Sequence, residues 1–236
     1  MRNVIRARPR NWLPAALALA MPLTFALVST GPARSAAKCP HVAHSPAVTL
    51  DVKMGAIKLD NGRSRQQLTR LQDRRKSAGR RAGWRPVGLT LTELEFFMSV
   101  RVNAVPTARG SFCGHLQAVE ATIGYEKLTV YAARKYRPGS CHYRSIMDHE
   151  NLHVAVFRNT LEKYAPRVRH RLERAAAELR PVLAHSANQA ATRLQKRLQS
   201  QIKPLFREMN REMDRANARL DTPENYRREQ AKCTDW

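Results

Sequence analysis

Acidic side chains, aromatic rings and long apolar runs are all scarce in this chain of 236 residues. Asp and Glu number 19 against 42 Lys and Arg, a formal charge of +23, so the chain is built to meet anionic rather than cationic partners. Aromatic residues make up only 6% and never interleave with the basic ones. A single-strand-binding groove of stacked rings and cations is therefore not written here, and nucleic acid is not the expected partner. Beyond Val28 no apolar run approaches the roughly 20 residues of a membrane-spanning helix. Cysteines number four, with no two close in sequence, which argues against a zinc knuckle.

The one apolar run that is present sits at the start. Arg2, Arg6, Arg8 and Arg10 precede Leu13 to Val28, and Ala33-Arg34-Ser35-Ala36-Ala37 supplies small residues after it. A basic segment, an apolar core and a small-residue zone are the parts of a secretory signal peptide, expected over 1–36. Those residues hold five arginines and no acid, leaving +18 on the mature part. The product is expected to be secreted or periplasmic, with possible contact to an anionic envelope surface and no later membrane segment. Cys39, Cys113, Cys141 and Cys233 all follow the leader, so an oxidising compartment would pair them as two disulfides. Of the three pairings, Cys113–Cys141 with Cys39–Cys233 is the favoured one.

Residues 37–236 read as a single domain in two parts. The sheet part, 46–136, begins with one or two strands between Pro46 and Leu59. A polar stretch over 60–84 follows, read as a mobile loop around a short helix. Val87, Leu89 and Leu91 then alternate with polar residues, Phe97 to Val102 continues the pattern, and Gly110 breaks it. Leu116 to Ile123, a turn at Gly124-Tyr125-Glu126, and Leu128 to Tyr131 complete an expected antiparallel sheet of about four strands. The helical part, 140–220, starts at Ser140 as cap. One stripe runs from Ile146 through Phe157, Leu161 and Val168 to Val182, with Pro166 kinking it; a second runs from Ala191 through Leu198 and Met209 to Leu220. Strands first and helices last make the class α+β, ending in a long helical hairpin and a tail over 221–236.

The chemistry-bearing motif lies at the head of that hairpin: His149-Glu150-Asn151-Leu152-His153. Histidines four apart on a helix project from one face and can share one metal. Glu150, beside the first, can take a proton from a water that the metal activates. Imidazole donors and an HExxH frame point to zinc. The neighbours Ile146, Leu152, Val154 and Ala155 suit a helix packed on a core.

The stretch Gly139-Ser140-Cys141-His142-Tyr143-Arg144-Ser145-Ile146-Met147-Asp148-His149-Glu150-Asn151-Leu152-His153-Val154-Ala155 resembles the motif helix of a family of exported bacterial proteins described as zinc-dependent proteases of the zincin type. The tail from Leu220 to Glu229 is similar too. The resemblance implies a zincin-like metallohydrolase with zinc on His149 and His153 and Glu150 as general base.

No third histidine follows at the metzincin spacing, so the remaining ligand must come from elsewhere. Counting residues from His153 to the polar turn near Ser186, and back from Ala187 to Leu220, gives arms of equal length. Equal arms return Asp221 level with His153. Asp221 is therefore the favoured third ligand, with Glu224 beside it and Tyr226 able to donate to an oxyanion. If the helix instead folds back at Pro166, Glu178 comes level with the motif. His142 is a candidate supporting residue; His41, His44, His170 and His185 read as exposed, and His115 lies on a strand. The expected activity is hydrolysis of a peptide or protein substrate, held along an edge strand around Val119 to Ile123. The alternatives are a non-catalytic envelope protein with a structural metal and a basic partner- or membrane-binding hairpin, or a cell-wall amidase.

Overall fold

The computed structural model describes residues 39–40, 45–74 and 85–236. The expected leader over 1–36, His41, His44 and residues 75–84 lie outside the described residues. Strands β1 (Ala47–Met54) and β2 (Ile57–Asp60) come first, then α1 (Arg65–Arg74), β3 (Gly88–Pro106) and β4 (Phe112–Ala132). Helix α2 (Cys141–Glu178), the short β5 (Val182–Ala184), α3 (Ala187–Leu220) and α4 (Pro223–Gln230) follow. No helix among the described residues is long and apolar enough to cross a membrane.

The sheet corrects the expectation of an antiparallel array of about four strands. It has five strands and is mixed, all built on β4: β1 and β2 pair with it in parallel, β3 and β5 antiparallel. Alternation reveals that a segment is a strand but carries no direction, and the connection through α1 puts β3 on the far side of β4 from β1. Strands followed by helices still fit a broadly α+β arrangement. The expected turn at Gly124 does not exist, because β4 runs through it. A Cβ on Gly124 would lie 2.7 Å from the carbonyl carbon of Lys53, so glycine there answers the close approach of β1.

Two irregularities in the β3–β4 register, between Thr92 and Leu94 and between Arg101 and Val102, shift the alternation along β4. As a result Leu116, then Val119, Ile123 and Tyr125, and then Leu128 and Val130 are all buried in clusters that include residues of α2. Helices α2 and α3 cover this face. Leu161, Val168 and Leu172 of one and Leu194, Leu198 and Ile202 of the other form the main core. Ser140 caps α2 by accepting from the Tyr143 N–H at 3.1 Å, and Ser186 caps α3 in the same way. Pro166 sits inside α2 without ending it, so the hairpin is the long one.

The disulfides are Cys39–Cys113 and Cys141–Cys233, not the favoured Cys113–Cys141 and Cys39–Cys233. The parallel pairing is the reason. With Ala47 opposite Ala118, the chain before β1 lies beside the start of β4, which brings Cys39 to Cys113. That leaves Cys141, at the head of α2, for the tail.

Candidate metal centre

Three side chains meet where α2 and the end of α3 converge. The Nε2 atoms of His149 and His153 are 3.2 Å apart, and Asp221 Oδ1 lies 3.2 Å from the first and 3.3 Å from the second. A tetrahedral zinc with bonds of about 2.0–2.1 Å separates its ligand atoms by about 3.3 Å. The donor set fits a single ion of that kind, and this group of buried histidines and one aspartate could hold a metal.

Each donor is held by a second contact. His153 Nδ1–H donates to Asn217 Oδ1 at 2.9 Å, which leaves Nε2 free to face the site. Tyr226 donates its hydroxyl to Asp221 Oδ1 at 2.7 Å, and its ring lies against that of His149 with centroids 5.1 Å apart. Asp221 is the C-cap of α3 and Tyr226 lies one turn into α4, so the tail delivers both. Burial disfavours the Asp221 charge, but hydrogen bonds from both histidines and Tyr226 hold its carboxyl well below the usual range. Burial likewise opposes a charged His153, yet Asp221 and Glu150 outweigh it and push the imidazole up to about 9.

Glu150, next to His149 in α2, is 5% exposed and lines the same cavity as His149. Burial raises its pKa, against the lowering pull of His153, Thr90 and His149. Thr90 on β3 donates to Glu150 Oε2 at 2.6 Å. Two residues earlier, Gly88 faces it: a Cβ there would sit 2.9 Å from Glu150 Cδ and 2.7 Å from Ile146 Cγ2. The glycine is what lets the carboxyl and α2 lie this close to the strand. A cavity of about 260 Å³ opens beside His149 and Glu150.

Of the residues proposed from sequence, His149, Glu150, His153, Asp221 and Tyr226 come together. Glu224 does not: it is exposed and paired with Arg227 at 3.1 Å. Glu178 is the last residue of α2, about 38 Å along the helix from His153. His142 lies at the tail, where its Nε2 meets the Thr234 carbonyl at 2.7 Å and its ring packs on Trp236. His170 and His185 are exposed. The strand around Val119 to Ile123 is flanked by β1 and β3, so it offers no open edge. Among the described residues β1, β2, β3 and β5 each pair with β4 alone, so the open edges belong to them, and β3 is the one that begins beside Glu150.

The sequence does not single out Thr90, Gly88 or Asn217 as site residues. Thr90 and Gly88 occupy the polar phase of an alternating strand, where nothing distinguishes them from solvent-facing positions. Asn217 was within reach, since it lies four residues before Asp221 and so one turn up the same helix face. No family model matches the chain, and no curated protein or solved structure is similar to it at a significant level.

Proposed function

We propose that the chain is a zinc-dependent peptidase working outside the cytoplasm, with zinc on His149, His153 and Asp221 and Glu150 as general base. The observation that carries this reading is the trio of donor atoms at mutual distances of 3.2–3.3 Å with a buried carboxyl on the same helix turn. Zinc, when bound, supplies Lewis acidity that activates water and polarises a carbonyl. Glu150 would accept the proton of the attacking water and return it to the leaving amine. Its raised pKa brings it nearer the pH at which a base of this kind works best. Thr90 holds the carboxyl in place, and Asn217 holds His153. Tyr226 is placed to turn its hydroxyl toward an oxyanion. The free edge of β3, which begins beside Glu150, suits an extended peptide. The two disulfides and the leader-like first 36 residues support export.

The rival reading, a structural metal in an envelope protein, is less well supported by the ligand count. Structural zinc sites are closed by four protein ligands, whereas the three donors grouped among the described residues leave a position open for chemistry. The deciding experiment is elemental analysis together with digestion of a broad peptide library. Wild type should hold one zinc, and a His149→Ala, His153→Ala variant none. Glu150→Gln should keep zinc and lose about 10²–10⁴ of the hydrolytic rate. Equal, near-zero zinc in wild type and the double variant would sink the metal site. Full zinc with no cleavage of any peptide would favour the envelope protein or, if muropeptides are cut, the cell-wall amidase.

A further inference from the structure

The cavity next to Glu150 has a wall that the metal site does not use. Its lining is apolar at Val87, Ile146 and Trp236 and cationic at the exposed Arg65 of α1 and Arg85. At about 260 Å³ it falls just short of the roughly 300–1,000 Å³ of sites for drug-sized ligands, so it suits one residue and not a long segment.

The charges around it are unevenly matched. Glu229, on the wall, is already neutralised by Lys232 at 2.7 Å and accepts from Ser145 at 3.1 Å. Glu150 is engaged by Thr90. The arginines have no such partner. Arg65 donates to the Arg85 carbonyl at 2.9 Å, and neither guanidinium forms an ion pair among the described residues. A guanidinium presents planar paired donors that match a carboxylate oxygen for oxygen.

The geometry points to a carboxylate-binding subsite in this cavity, in which Arg65 and Arg85 receive the acidic end of a substrate residue beside the scissile bond. The inference rests on the proposed peptidase reading and names the substrate class for it. The apolar lining takes the stem of the residue while the exposed arginines take its tip. The same carboxylate chemistry is available from a Glu or Asp side chain and from a free chain terminus. These two sources imply cleavage within acidic segments or trimming at the C-terminal end, respectively.

The test is a binding titration on the mature chain, read by tryptophan fluorescence because Trp236 lines the cavity. Three probes separate the sources. N-acetylglutamate α-amide carries only a side-chain carboxylate, N-acetylglutamine only a terminal one, and N-acetylglutamine amide neither. Each is titrated into zinc-loaded and zinc-stripped protein, and into an Arg65→Gln, Arg85→Gln variant whose thermal melting confirms folding. At least one carboxylate probe should bind about tenfold or more tighter than the neutral amide, in zinc-stripped protein as well, and the variant should lose that preference. The probe that gains identifies the source. Equal affinity for all three, no binding by any, or a preference that persists in the variant overturns the subsite. So does a preference that vanishes on stripping zinc, since the metal and not the arginines would then be holding the carboxylate. Because binding is read without turnover, failure of the peptidase reading and failure of the subsite are separate results.

Discussion

The body of the molecule and the cap over its site are held together by different forces. In the body, α2 and α3 seal one face of the sheet with side chains such as Ile123, Leu172, Leu194 and Leu198, all at 0% exposure. In the cap, α4 contributes no buried residue at all. It is fastened by the Cys141–Cys233 disulfide, by Ser145 donating to the Glu229 carbonyl and carboxylate, by His142 on the Thr234 carbonyl and by the packing of Trp236 on Tyr136. The site straddles the seam. His149, Glu150 and His153 belong to the body, while Asp221 and Tyr226 arrive with the end of α3 and the cap. Two of the three candidate donors are thus fixed by apolar burial, and the third side is fixed by covalent and polar contacts that water can compete with.

The two regions should break independently. Leu194→Ala empties a fully buried position in the main core and should destabilise the whole fold by about 2–5 kcal/mol. The zinc affinity of molecules that remain folded should be unchanged, measured by calorimetric melting and competitive chelation. A Cys141→Ser, Cys233→Ser variant should cost about 2–4 kcal/mol. Its signature should differ: the tail becomes accessible to protease and zinc is held more weakly, while the sheet and hairpin keep their far-UV spectrum. A core variant that loosens zinc as much as the disulfide variant would show that the seam is not a boundary.

The same seam governs pH. In the metal-free protein His153 titrates at about 9, above its usual 6.5, because Asp221 and Glu150 face it. A raised imidazole pKa contributes stability that is complete below about 6.5 and disappears as pH climbs through about 9. The melting temperature of zinc-stripped protein should therefore fall across that window. Zinc affinity should move the opposite way, because the ion needs the proton off Nε2, and rise by up to about tenfold per pH unit until the group has titrated. Parallel trends in the two measurements would contradict the picture of a proton and a metal competing for His153.

The body was far more legible in the sequence than the cap. Both apolar stripes, the Ser140 cap and the helix running on through Pro166 follow from spacing alone, because burial on one helix face imposes a period that residues such as Leu161, Val168 and Leu172 display. Asp221 could be placed level with His153 only by assuming two arms of equal length with the helix running on through Pro166, and the structure brings the two residues together although β5 interrupts the turn. Strand direction was not legible. Val48 and Leu50 would alternate identically in a parallel or an antiparallel partner, and this one missing sign also misplaced both disulfides. Thr90 was hidden for a related reason: in a strand with one solvated face a threonine needs no explanation, until a helix on the same side brings a carboxyl to it.

Thr90 gives the smallest expected effect and the finest test of how the two regions share the site. Thr90→Val keeps the shape of the side chain and removes only the hydroxyl that donates to Glu150 Oε2 at 2.6 Å. Neither the zinc ligands nor the cap touches that hydroxyl, so zinc content, zinc affinity and resistance of the tail to protease should stay at wild-type levels. Stability should fall by no more than about 0.5–1.5 kcal/mol, the net worth of one hydrogen bond. The informative change lies in the pH dependence of hydrolysis. Thr90 stabilises the ionised form of Glu150 against the burial that disfavours it, so its loss should raise the Glu150 pKa further and move the acid limb of the rate profile to higher pH. An unchanged acid limb with a lowered plateau would mean that Thr90 only positions the carboxyl. A limb moved to lower pH would mean that Glu150 is not the group whose ionisation the rate reports.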